Sequence, residues 1–234
     1  MKKLLFALGI LITVAVQLRA QDKTAATPNP ESQVLKYSRD FLLLQLSYDS
    51  WAGGRDSTRT HGLGRGFNVD FMYDFPLANS SHFSVSPGLG ISTSGVFLKK
   101  HIARIGTPAP TLNFPADSSF KRYKVATSYV EIPIELRYRT FENNANKGFK
   151  AAIGLKFGAL LNAHTKASGV QTGSKQIQKL EDKRYFSPWR VAATARVGLG
   201  NISIFSSYSL TGLLKQNAGS NLNTFSIGLC LSGM

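Results

Sequence analysis

From residue 39 onward, apolar and polar side chains alternate with a period of two. Over 39–50, Leu42, Leu44, Leu46 and Tyr48 share one parity, and Gln45, Ser47 and Asp49 share the other. Over 65–75, Phe67, Val69, Phe71, Tyr73 and Phe75 alternate with Gly66, Asn68, Asp70, Met72 and Asp74. Successive side chains of a strand point to opposite faces, so strict alternation predicts strands with one apolar face. The same pattern predicts eight strands, near 39–50, 65–76, 82–95, 127–140, 148–163, 189–199, 201–210 and 222–232. Leu160 and Phe205 break it. No window in this region shows a comparable helical period.

Strands of this length exceed the usual five or six residues of a sandwich and match the length that crosses a bilayer at a tilt. An even number of them predicts a closed eight-stranded antiparallel up-and-down transmembrane β-barrel, all-β in class. Short connections near 76–82, 140–148 and 199–201 alternate with long ones near 51–64, 96–126, 164–188 and 211–221. In outer-membrane barrels the short turns are periplasmic and the long loops extracellular. The apolar parity carries Tyr48, Phe67, Trp189, Tyr208 and Phe225 toward one edge, and Tyr73, Phe75, Phe83, Tyr138 and Phe149 toward the other. Two aromatic girdles are the expected reading. The rival is a secreted soluble ligand-binding barrel with its apolar face inward. Its polar parity would need a dense Lys/Glu surface, and here that parity is rich in Gly and Ser.

The N-terminus sets the compartment. Lys2 and Lys3 precede an uncharged run from Leu4 to Val16, followed by Leu18, Arg19 and Ala20. A basic start, a short apolar run and a small residue at the cut predict a signal peptide over 1–20, cleaved near Ala20. Residues 21–38 are polar and Pro-punctuated and read as a flexible periplasmic leader; residues 39–234 form the barrel domain. Cys230 is the only cysteine, which excludes an intrachain disulfide.

Charge then locates the chemistry. The chain has 28 Lys and Arg against 13 Asp and Glu. Removing 1–20, with Lys2, Lys3 and Arg19, leaves +12, and the long connections with their flanks account for all of it. The longest loop supplies Lys99, Lys100, Arg104, Lys121, Arg122 and Lys124 around the Pro-punctuated stretch 107–115, expected to be irregular and exposed. Cations at this rim are expected to meet the phosphates of lipopolysaccharide. No aromatic-basic nucleic-acid motif is present, and nucleic acid is not an expected partner. Asp70, Asp74, Glu131, Glu135, Arg137, Arg139, Lys150, Lys156 and Arg196, with Asp49, lie on the lumen parity. They are expected to form a buried ion-pair network that fills a narrow bore, rather than a proton or ion path. Pro133 lacks an N–H, and a bulge is expected there.

The segment YVEIPIELRY over 129–138 resembles the Glu-Ile-Pro strand of PorT-like outer-membrane β-barrel proteins. Weaker echoes are SPGLGISTSG at 86–95, FSPWRVAATARVGLG at 186–200 and NTFSIGLCL at 223–231. The resemblance implies an eight-stranded barrel in the outer membrane and no single activity; one member is tied to protein secretion. An enzyme is not expected: no G-x-S-x-G, H-E-x-x-H or phosphate-loop motif occurs. His164 shares lumen parity at the outer end, where Asp49 also lies, and that pair is the one catalytic arrangement the pattern offers. No catalytic, metal or cofactor-binding residue is assigned. The reading is a non-enzymatic barrel whose basic loops contact lipopolysaccharide or a partner protein. Its alternatives are a secretion-machinery subunit, a rim hydrolase, a small-solute pore and the soluble barrel.

Overall fold

A computed structural model describes residues 41–233 apart from 54–59, 61, 78–81, 99–100, 107–108, 118, 142–146 and 172–173, with backbone alone at 170–171 and 174–176. The expected signal peptide and leader lie outside the described residues. The described residues form ten strands: β1 (Leu42–Ala52), β2 (Arg65–Met72), β3 (Phe75–Pro76), β4 (Phe83–Leu98), β5 (Arg122–Arg139), β6 (Phe149–Gln171), β7 (Ser174–Glu181), β8 (Trp189–Leu199), β9 (Ile202–Ser209) and β10 (Asn223–Ser232). β3 continues β2 along β4, and β7 pairs with the outer part of β6 alone. The remaining eight pair antiparallel around a ring that closes through β1–β10 and β2–β4. The architecture is a closed eight-stranded antiparallel barrel.

The exterior is apolar and the interior polar. Leu46, Phe71, Ile91, Ile132, Ile153, Ile204 and Leu229 are exposed, whereas Gln45, Asp70, Ser86, Glu131, Lys156 and Ser203 are buried. A belt of this kind is a lipid-facing surface, and it removes the soluble alternative. Tyr73 packs on Phe75 at 4.8 Å and Phe83 on Tyr138 at 5.2 Å, forming the girdle at the short-turn end. Tyr48, Phe67, Trp189 and Tyr208 are exposed toward the long-loop end. A two-residue turn joins β8 to β9 at 200–201, with Gly200 at φ 59°, a conformation that costs glycine no Cβ clash.

Met72 and Phe205 face inward, as their parity places them, and form a small apolar cluster with Leu43 and Cys230 inside the lumen. Other features differ from the sequence reading. The bulge is not at Pro133: the β4–β5 ladder is interrupted there without any shift, as Pro87 faces Ile134 and Gly90 faces Glu131 in one register. The shift falls where Ser128 faces Asn162 but Tyr129 faces Leu160, leaving Leu161 as the extra residue of β6. That insertion reverses the parity of β6 beyond it; Leu160, just before the bulge, broke the alternation because it faces Tyr129 and packs against the apolar cluster beneath the loops.

A further difference is above the membrane. Strands β4, β5 and β6 run past the girdle, and much of the expected 164–188 loop is the β6–β7 hairpin. The loops at 101–120, 182–188 and 210–222 then close over a second core. Ile105, Leu112, Phe120, Tyr123, Tyr185, Phe186, Leu213, Leu214 and Leu222 are buried together. Leu112 N–H donates to Ala218 O at 2.7 Å, and Ser187 N–H donates to Leu213 O at 3.0 Å. The stretch expected to be irregular and exposed is therefore anchored by Leu112, because loops of this length carry enough apolar side chains to bury one another.

Candidate functional site

Two regions gather the chemistry: the lumen and the outer rim. In the outer half of the lumen, Lys156 Nζ donates to Asp70 Oδ2 at 2.7 Å and lies 3.6 Å from Glu131 Oε2. Gln45 Oε1 accepts from Asn68 Nδ2 at 3.0 Å and from Lys156 at 3.4 Å. Asp49 accepts from Ser47 Oγ at 2.6 Å. Arg190 pairs with Glu131, donates to Ser92 Oγ at 3.2 Å and lies over the Tyr129 ring at 4.4 Å. Arg190 was not among the residues expected in the network; its place one residue after Trp189, on the opposite parity, is the signal that puts it in the lumen.

Toward the short-turn end, Arg137 donates Nη1 to Asp74 Oδ1 at 2.7 Å and Nε to Glu135 Oε2 at 2.8 Å. Arg196 donates to Glu135 Oε2 at 3.0 Å, and Arg139 reaches Asp74 Oδ2 at 3.3 Å. Ser86 Oγ donates to Asp74, and Lys150 Nζ donates to Ser232 Oγ at 2.6 Å. All nine residues singled out for the lumen are thus buried and linked through these partners. Glycine supplies the room: a Cβ at Gly90 would sit 2.0 Å from Asp70 Oδ1 and 2.7 Å from Val69 O.

At the rim, Arg104, Lys121 and Arg122 are exposed and Lys124 is half-buried, while Lys99 and Lys100 lie outside the described residues. Arg122 and Lys124 belong to β5 rather than to an irregular loop. The reversed parity of β6 turns Lys166 outward, so Phe97, Lys124, Lys166 and Lys179 form one rung across β4, β5, β6 and β7, just beyond the girdle. Lys179 also pairs with Glu181 on its own strand. Beside this rung a groove of about 450 Å³ is lined by Leu63, Arg65, Phe97, Lys121, Arg122 and Lys124, among others. Lys166 and Lys179 were absent from the rim set, because the bulge that aligns them has no distinct sequence mark.

His164 sits in the next rung, between Ala126 and Glu181, on the outward face. Partial burial holds its imidazole below the usual histidine range, and Lys179 adds to the effect. Asp49 is inside the lumen, so the His–Asp pair that parity offered is not assembled. Among the described residues, no cluster of three or more His, Cys, Asp or Glu is arranged to hold a metal ion.

An apolar belt around a lumen filled with paired charges defines a bilayer-spanning barrel whose bore is occupied by side chains. The chain belongs to the outer membrane protein beta-barrel domain family, whose model matches residues 44–215. It is an outer-membrane β-barrel protein. A comparison with curated proteins gave no match. Among solved structures, it is similar to the crystal structure of Ail, the attachment invasion locus protein of Yersinia pestis, at 13% identity and a TM-score of 0.32, over 82% of this chain and 95% of that one. Ail in complex with the heparin analogue sucrose octasulfate gives 14% and 0.35 over 82% and 96%. Ail in a phospholipid bilayer nanodisc gives 13% and 0.33 over 83% and 99%.

Proposed function

We propose that the protein is a non-enzymatic, side-chain-plugged barrel of the PorT-like kind, whose basic rim holds the phosphates of lipopolysaccharide. The observation that carries this reading is the outward rung of Lys124, Lys166 and Lys179 beside the groove of Arg65, Lys121 and Arg122. Like charges in direct cross-strand register repel one another. An anionic head group lying across them relieves that repulsion, and Leu63 and Phe97 supply apolar contact at the level where lipid head and chain meet. Each membrane-proximal cation contributes about 1 kcal/mol toward an anionic surface.

Replacing Lys121, Arg122 and Lys124 together by Gln keeps side-chain length and removes the charge. The expected result is an unchanged fold with weaker, less salt-dependent binding of lipopolysaccharide, because screening falls most on exposed charge. Binding as tight as the parent's at every salt concentration would make the rim a merely solvated surface. The plugged lumen carries its own expectation. In planar bilayers the purified barrel should give no stable, resolved conductance, and steady single-channel steps would favour a pore. For the N-terminus, Edman sequencing of protein extracted from outer membranes should begin near Gln21.

A further inference from the structure

The backbone does not call for glycine at position 95. Gly95 lies inside β4 and outside the left-handed region that favours glycine, and glycine weakens a strand interior. A Cβ added there would meet Lys124: its three nearest atoms would all belong to that side chain, with Nζ at 2.5 Å. Lys124 thus lies across the Gly95 backbone. That is why Gly95 is buried although its parity, shared with Ile91 and Phe97, turns it outward.

Lys124 points toward the bilayer. β4 rises from the short-turn girdle at Phe83 to the rim at Leu98, so Gly95 lies nearer the membrane than Phe97, the cross-strand partner of Lys124. A lysine beyond the girdle reaches water by extending away from the membrane. Lys124 turns back instead, leaving its ammonium 6.0 Å from the centre of the Phe97 ring and over the residue that pairs with Arg65. Arg65 is exposed on the same outward face, with Tyr48 on its other side. Two cations therefore meet on one rung, with a glycine rather than a side chain between them.

We propose that Lys124 and Arg65, set across Gly95, form the seat for one phosphomonoester carried on a lipid head group, and that Gly95 is the positioning residue of that seat. The inference rests on the rim reading above and narrows it to one phosphate at the membrane surface. A phosphomonoester carries about 1.5–2 negative charges at neutral pH and matches two cations, whereas the single charge of a phosphodiester lipid matches one. Arg65 can engage two phosphate oxygens with its fork, and Lys124 supplies a point charge. Leu63 and Phe97 line the same groove and meet the apolar part of the lipid.

Gly95→Ala is the test, because it changes no charge and displaces only the movable end of Lys124. In micelles, binding of the intact barrel to phosphorylated lipid A should weaken roughly tenfold, as expected for a lost charge-assisted hydrogen bond. Dephosphorylated lipid A and phosphatidylglycerol, a diester, should bind weakly to parent and variant alike. Inorganic phosphate should compete no better than sodium chloride at equal ionic strength; full competition by it would overturn the lipid-borne ligand. Lys124→Gln and Arg65→Gln, which leave the backbone alone, should each lose as much as Gly95→Ala, and unchanged affinity in either overturns the proposal. Unchanged affinity in Gly95→Ala, beside weaker binding by the triple Gln variant of Lys121, Arg122 and Lys124, overturns the seat and leaves the rim reading standing. Unchanged affinity in both overturns both.

Discussion

Replacing Lys156 with Met is expected to destabilise the folded barrel by about 3–5 kcal/mol, the cost of leaving a buried charge without its partner. Lys156 is the cation that Asp70 holds at 2.7 Å, and it stands 3.6 Å from Glu131. Without it, two carboxylates stand inside a membrane barrel, and Arg190 engages Glu131. Denaturant unfolding in lipid or micelles measures the effect. Adding Asp70→Asn to the same chain should recover a substantial part of the loss, since Glu131 keeps Arg190 and no anion is left bare. If Lys156→Met costs less than about 1 kcal/mol, typical of an exposed pair, water must reach the network and the bore is not dry.

Phe186→Ala should have an effect of similar size in a different place. Phe186 is 1% exposed at the centre of the extracellular core, between Tyr185 and Leu214. Truncating a buried Phe costs about 3–5 kcal/mol through lost burial and the cavity left behind. The strands do not depend on this core for their ladder, so the barrel should stay folded, with the parent's mobility on gels run without heating. The loops at 101–120, 182–188 and 210–222 should instead become sensitive to added protease on whole cells. Simultaneous loss of the folded form on gels would mean that cap and barrel unfold as one unit.

The pairing of these two experiments follows from how the molecule divides. In the membrane, a strand's two faces meet lipid and lumen, so each side chain's environment follows from its parity. That is why Ile132, Ile134 and Leu136 could be assigned outward and Glu131, Glu135 and Arg137 inward from alternation alone. The barrel's closure and strand count followed from the same rule, since eight amphipathic strands of spanning length have no edge to leave open in lipid.

What alternation could not supply is what depends on register or on loops meeting in space. Parity places Arg137 in the lumen beside Glu135, two residues away on β5; only the relative stagger of the strands selects Asp74, between β2 and β3, as its second partner and brings Arg196 of β8 to share Glu135. A one-residue bulge at Leu161 reverses everything beyond it, carrying His164 away from Asp49 and bringing Lys166 beside Lys124 and Lys179. The loops offered no period at all. Leu112, Phe186 and Leu213 find their partners on other loops, so burial there is set by tertiary contact rather than by neighbours along the chain. Local periodicity thus specified the membrane barrel and its two faces, while non-local packing decided the ion-pair partners, the composition of the basic rung and the folded extracellular core.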